Sequence, residues 1–240
     1  MRLPIKINPD PVLEAVAEIR FDSFYPDEAV FGIIFNLFKE QYRDLTQLPI
    51  LQMPKIVRSG DPKLIYQPHF RLSSEKYILQ IGPKICSLGI KNKYYGWSEF
   101  LAEIVSAFGQ IRDNKIIKNL KRLAIRYIDF FEVDIFQNIK LEIKIDSEDI
   151  IKNQTYFKNM IIDNPYQLFV QIGKDVSVRK GSKKYIGSVF DVDTQLINVS
   201  NDSLNNLKEI FDYAHEKEKV YFFSLLKPEF IAKLNPEYEK

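Results

Sequence analysis

The sequence predicts an α+β fold built from two similar halves, each with the order strand, helix, strands, helix. Two patterns predict this class: alternating apolar residues, typical of half-buried strands, and apolar residues at helical spacing. A third observation is an internal echo, since AEIRFDSF (17–24) and AIRYIDFF (124–131) share an Ile-Arg-aromatic triplet. Runs of strands joined by short turns favour an antiparallel sheet with helices packed on one face.

The first predicted half covers residues 1–118, and its strands and helices are separated by proline, glycine and serine. Proline confines a strand to a sheet edge, and residues three and four apart share a helix face. The predicted elements are a strand over 13–21, a helix from Asp27, irregular chain or a short edge strand over 49–62, strands over 64–74 and 77–90 with a turn at 73–76, and a helix from Gly96–Trp97.

The second predicted half covers residues 119–240 and repeats this order, which suggests an internal duplication. A repeat of this length suits two fused half-domains, with one continuous domain as the alternative. The predicted elements are a strand over 124–131, a helix over 147–160, strands over 166–173, 175–184 and 185–194, and a long amphipathic helix over 204–226.

Composition limits the class of partner. The 34 basic and 32 acidic side chains leave a net charge of +2, which gives no general attraction to nucleic acid or lipid, so any such binding must be local. Cys86 is the only cysteine and is expected in the core. No apolar stretch reaches membrane-spanning length and no phosphate-loop motif occurs, so we expect a cytoplasmic protein with no membrane partner and no cofactor.

The strand at 13–21 carries charges in an apolar run. Glu14, Glu18 and Arg20 share one face of it, and the duplication puts Arg126 in the equivalent place of the second half. One interpretation is a structural ion-pair network. The other is a pocket in which the arginines bind a phosphate or carboxylate while a glutamate acts on a proton or metal.

The histidines and one acidic pair are weaker candidates. His69 and His215 are the only histidines, which rules out a three-histidine zinc site, so His215 is expected to orient its helix and His69 to lie on a strand. Asp191 and Asp193 share a strand side and could bind a hard cation, but a solvated strand face is the preferred interpretation and no metal site is predicted.

Two basic clusters keep nucleic acid or a protein partner in consideration, because cations hold phosphates and aromatic rings stack on bases. Both have ordinary structural alternatives: Trp97 as a core anchor of its helix, and lysines that protect a strand edge from pairing. The candidates are Lys91, Lys93 and Tyr94 in KNKYYGW, and Arg179, Lys180, Lys183 and Lys184 in VRKGSKKY.

The opening NPDPVLEAVAEIRF resembles that of an uncharacterised, sporadically distributed bacterial and archaeal family that begins PP(L/I)xEAVxExRF. The resemblance continues through GWSEF, LAIRYID against an LRYIN-like motif, and FDVDT. Asp10 between the prolines and Asp129, where asparagine is usual, depart from it. The resemblance implies a module without assigned catalytic residues, and the family's patchy distribution suggests antiphage defence or a toxin–antitoxin setting.

Two functions follow as expectations. The first is a non-enzymatic recognition module that binds a protein partner or nucleic acid through its sheet face or its basic hairpin. The alternative is a small-ligand sensor or an enzyme that acts on a phosphorylated metabolite through a Glu/Arg pocket. The apolar VYFFSLL of the last helix either packs internally or forms a homodimer contact.

Overall fold

The computed structural model describes residues 2–146, 148–149 and 155–239. The helices are α1 (Asp27–Phe38), α2 (Lys55–Gly60), α3 (Trp97–Asp113), α4 (Leu207–Leu225) and α5 (Pro228–Lys233). The strands are β1 (Val12–Ser23), β2 (Asp44–Gln47), β3 (Phe70–Ser73), β4 (Tyr77–Gly82), β5 (Ile85–Ile90), β6 (Ile117–Phe131), β7 (Lys144–Ile145), β8 (Glu148–Asp149), β9 (Tyr156–Asp163), β10 (Tyr166–Lys180) and β11 (Lys183–Leu196).

Within the described ranges, nine strands form one open antiparallel sheet in the order β2-β3-β4-β5-β1-β6-β11-β10-β9. The short strands β7 and β8 pair separately. The predicted mixture of helices with an antiparallel sheet is therefore confirmed. In the part of the chain that the structure describes, no helix is long and apolar enough to cross a membrane.

Several predicted elements are confirmed. The helix predicted from Asp27 is α1, and the helix predicted from Trp97 is α3. Ala15, Ala17 and Ile19 of β1 are fully buried, as the period-two pattern requires. The predicted turn at 73–76 joins β3 to β4.

Other elements differ from their predictions. The chain over 49–62 forms a 3₁₀ turn at Pro49–Gln52 and then α2, because Pro49 and Pro54 fit helix starts. The predicted strand over 77–90 is the hairpin β4–β5, and the three strands predicted over 166–194 are the two long strands β10 and β11.

The helix predicted over 147–160 is wrong from Tyr156 onward, since β9 begins there. Ser147 and residues 150–154 lie outside the described residues. The predicted helix over 204–226 is a 3₁₀ segment at Asn201–Asn206 followed by α4.

Two compact units divide the chain, and neither is continuous in sequence. Unit A comprises residues 1–14, 126–194 and 215–240, and unit B comprises residues 15–125 and 195–214. The division into residues 1–118 and 119–240 stays a prediction.

Unit B has an aromatic and aliphatic core. Phe31 of α1 stacks on Phe70 of β3 with ring centroids 3.7 Å apart, and Phe108 of α3 contacts Phe211 of α4. Cys86 is fully buried, as predicted, and burial raises the pKa of its thiol. The buried sides of β1, β4 and β5 all face this core, so the alternate residues form a second face that retains exposed surface.

Unit A is organised around Phe222, whose ring contacts Phe131, Phe190 and Phe223. These contacts show that the VYFFSLL stretch packs internally through Phe222 and Phe223. A homodimer contact through the same helix stays a prediction.

Candidate functional site

The charged strand β1 supplies a guanidinium and a carboxylate to a cluster in unit B. Arg20 donates from Nε to Glu18 Oε1 at 2.7 Å, and Arg122 of β6 donates from Nη1 to the same oxygen. Arg122 also donates from Nε to Gln195 at 2.8 Å. Glu18 and Arg122 retain only 17% and 15% of their side-chain exposure, so this network is largely desolvated.

Cross-strand pairing extends this cluster over four strands. Glu18 pairs with Ser87, Ser87 with Gln80, and Gln80 with Arg71. Directly paired residues of antiparallel strands point to the same side, so these four lie in one line across the second face of unit B. We call Arg71, Gln80, Ser87, Glu18, Arg20 and Arg122 the arginine row.

The other two residues predicted for the Glu/Arg pocket belong to unit A. Arg126 of β6 donates to both oxygens of Asp191, from Nε at 2.8 Å and from Nη2 at 2.6 Å. Gln171 donates to Asp191 at 2.9 Å. The bidentate contact raises the pKa of Arg126, with smaller contributions from Asp193 and the exposed Glu14.

Paired carboxylates could suggest a cation site at Asp191 and Asp193. Asp191 is instead occupied by Arg126 and Gln171. Over residues 2–146, 148–149 and 155–239, no group of three histidine, cysteine or acidic side chains is arranged to hold a metal ion.

Unit A also buries two carboxyl groups. Burial raises the pKa of both Asp129 in β6 and Glu218 in α4 well above the ordinary range, and Asp129 raises that of Glu218 further. Asp10 and Asp191 act on Asp129 in the same direction. Both groups are therefore held in their neutral form over a range of pH in which solvent-exposed carboxyls are ionised.

The histidines occupy separate environments. His215 packs its ring against Tyr127 at 5.4 Å, with Nδ1 3.9 Å from Glu218 Oε2. His69 precedes β3 and lies 3.3 Å from the Nη1 atom of Arg58. Partial burial, assisted by the charge of Arg58, lowers the pKa of His69.

The hairpin of β10 and β11 carries the second basic cluster. Arg179, Lys183 and Lys184 are exposed, while the side chain of Lys180 lies outside the described part of the structure. Gly181 forms the turn with φ of 62°, a left-handed conformation that glycine adopts without strain. None of the side chains described over residues 175–186 is buried, and we call this segment the basic ribbon.

Neighbouring chain holds the root of the basic ribbon. Ser188 donates to the carbonyl of Val133 at 2.8 Å and accepts from the backbone N–H of Ile135 at 3.0 Å. On the other strand, β9 pairs with β10 only as far as Gly173 in the pairing register. The seven residues from there to Lys180 span about 23 Å.

The first basic cluster is tied into unit B. Lys91 donates to the carbonyl of Ser74 at 2.9 Å, Lys93 lies 5.7 Å from the ring of Tyr95, and Tyr94 meets Phe100 edge-on. Trp97 is half-buried and donates from Nε1 to Asp212 at 2.6 Å, so it bridges α3 and α4. Intramolecular contacts therefore occupy Lys91, Lys93, Tyr94 and Trp97.

Sequence reasoning missed Arg71, Arg122, Asp129 and Glu218 as candidate residues. Arg122 and Arg126 are four apart on one strand, which was an available signal that they share a face. Asp129 interrupts an apolar run, and Glu218 is three residues from His215 on a helix. Arg71 carried no signal, because its neighbours in the arginine row come from three other strands.

No family model matches the chain, and no curated protein matches it either.

Proposed function

We propose that the chain is a non-enzymatic recognition module that binds duplex DNA through the basic ribbon. The observation that carries this proposal is the ribbon's exposed positive charge. Among the described residues, no carboxylate forms an ion pair with Arg179, Lys183 or Lys184.

Charge distribution supports the proposal. Four basic residues minus Asp175 give the ribbon a net charge of +3, whereas the whole chain has +2. The positive excess is thus concentrated in twelve residues, and the remainder of the chain is close to neutral. Such a local concentration attracts phosphates although the molecule as a whole does not.

The shape of the ribbon supports the same function. Two strands about 4.8 Å apart, with their side chains, fit the major groove of B-form DNA, which is about 12 Å wide. The major groove of A-form RNA is too narrow for side chains to read. Exposed Ile186 adds apolar surface beside the cations. Duplex DNA is therefore the preferred partner, with an acidic protein as the competing outcome of the test.

The test replaces Arg179, Lys180, Lys183 and Lys184 with glutamate and measures binding to a fluorescent 30-base-pair duplex by anisotropy. We expect the unaltered protein to bind with a Kd of about 1–100 μM at physiological salt, the range of sequence-independent binding. The variant should lose detectable binding because each cation that pairs with a phosphate is replaced by a charge that repels it.

A matched variant controls for net charge. It replaces four exposed lysines of unit B, Lys39, Lys63, Lys118 and Lys208, with glutamate. This variant should keep most of the affinity and the unaltered thermal stability. Equal loss of binding in both variants would assign the effect to total charge and reject the ribbon. Absence of DNA binding, with an acidic protein captured by the unaltered chain alone, would favour a protein partner.

We also propose the internal duplication, with helices on one face of the sheet. The strand order supports it: β1 and β6 are neighbours at the centre, followed outward by β5, β4 and β3 on one side and by β11, β10 and β9 on the other. Each series is followed in sequence by a long helix, α3 or α4. Antiphage defence or a toxin–antitoxin pathway stays the predicted setting for this module.

A further inference from the structure

The arginine row concentrates charge on the second face of unit B. Its three guanidinium groups come from β1, β3 and β6, while Glu18 is its only carboxylate, so the row has a net charge of +2. Arg20 and Arg122 both donate to one oxygen of Glu18, which neutralises one of these two cations. The row therefore has more positive charge than its own carboxylate can balance.

Arg71 lies at the far end of the row from Glu18. Three strand spacings separate the two backbones, or about 14 Å. Arg71 Nε is buried and makes no hydrogen bond to any described protein group. Burying a charged donor without a partner costs free energy, so such a group in a folded protein calls for an explanation.

One end of the row has a wall. The ring of Tyr66 lies 4.9 Å from the guanidinium carbon of Arg20. A Cβ atom on Gly82 would lie 2.6 Å from the carbonyl oxygen of Gln67, so only glycine allows the chain to approach the sheet this closely. The segment over residues 66–68 thus closes the row beside Arg20 and leaves the line from Ser87 to Arg71 as the floor.

We propose that the arginine row is a binding site for a small phosphorylated molecule. Its phosphate oxygens accept hydrogen bonds from Arg71 and Arg20, and its polar body contacts the Ser87 hydroxyl and the Gln80 amide between them. A planar guanidinium matches the geometry of phosphate oxygens better than a lysine ammonium does. Glu18 positions Arg20 and Arg122, and the ligand balances the remaining charge.

This site is independent of DNA binding by the ribbon, since all six residues of the row belong to unit B and the ribbon belongs to unit A. Either proposal can fail alone. The ribbon variant with four glutamates should therefore respond to a small phosphorylated ligand as the unaltered chain does.

The experiment measures the affinity of inorganic pyrophosphate by calorimetry and its thermal shift at constant ionic strength, with citrate as the comparison anion. The unaltered chain should bind pyrophosphate and show a rise in Tm, and citrate should give a smaller shift. Arg71→Met should weaken pyrophosphate roughly tenfold or more, as expected for loss of a charge-assisted hydrogen bond. Arg43→Met, at an exposed arginine of the same unit, is the matched control and should change nothing.

The Tm of the ligand-free variant separates a binding role from a structural one. Arg71→Met removes a buried donor without a partner, so its Tm without ligand should equal or exceed that of the unaltered chain. A lowered Tm together with an unchanged pyrophosphate affinity would overturn the proposal. So would the absence of any pyrophosphate response in the unaltered chain, or a citrate response that equals it.

Discussion

At the scale of single residues, the buried carboxyl of Glu218 makes stability depend on pH. It faces Asp129 from β6 and His215 from its own helix, with Lys219 as the neighbouring cation. Burial raises its pKa in the folded state, whereas the unfolded chain returns it to the ordinary value. Between those two values the unfolded state releases a proton that the folded state keeps. Stability therefore falls as pH rises from about 4.5 towards the folded pKa.

Glu218→Gln should remove this dependence, because glutamine does not ionise. Relative to the variant, the unaltered chain should lose up to about 1.4 kcal/mol of unfolding free energy per pH unit within that window. Urea denaturation at pH 5, 6, 7 and 8 measures the difference. Glu216→Gln, an exposed position on the same helix, should give a curve parallel to that of the unaltered chain. Parallel curves for all three proteins would contradict the account.

Residue patterns within one strand were predictable, and partners on other strands were not. The spacing of Glu18 and Arg20 places them on one face, and the structure joins them by a hydrogen bond. Arg122 and Arg71 reach the same face through pairing register, which a single strand's pattern does not encode. The roles of Arg20 and Arg126 in a ligand pocket stay predictions.

At the scale of elements, Gly187 fixes the root of the basic ribbon. A Cβ atom there would collide with the carbonyl oxygen of Phe131, so β11 passes the end of β6 only because this position has no side chain. Ser188 then fastens β11 to the chain around Val133. The ribbon begins where these contacts end.

Gly187→Ala should destabilise the protein by at least about 2 kcal/mol, because the backbone of β6 cannot move aside without losing sheet pairing. Gly32→Ala is the control, since no described atom lies within 4 Å of its added Cβ. Alanine in this helix interior should raise stability by roughly 0.5–1 kcal/mol. Chemical denaturation of both variants measures the effects, and a neutral Gly187→Ala would mean that β11 does not approach Phe131 this closely.

Elements with long, regular periodicity were predictable, while short or interrupted ones were not. The stripes of α1 and α3 identify their helices. Gly82 and Pro83 lie between β4 and β5, and their turn was hidden inside a continuous apolar run. The helix predicted from 147 failed at Tyr156, where Phe157 and Ile161 face Ile172 and Leu168 across the β9–β10 pair.

At the scale of the whole molecule, the near-neutral net charge is a poor guide to function. It averages a ribbon of +3 with a remainder that is slightly acidic, so the partner is determined by the placement of charge and not by its total. The sequence could predict the cluster around Gly181. It could not predict that β10 and β11 continue past the pairing of β9, since pairing depends on the whole sheet.

The salt dependence of DNA binding tests the central claim most directly. Anisotropy titrations of the 30-base-pair duplex between 50 and 200 mM salt give the slope of log K against log salt concentration. Four phosphate contacts predict a slope of roughly −3 to −4 for the unaltered chain, because each contact releases about 0.9 counterion. Restoring Lys183 and Lys184 alone in the four-glutamate variant should recover part of that slope. A slope near zero, or one that the ribbon substitutions leave unchanged, would contradict DNA recognition by the basic ribbon.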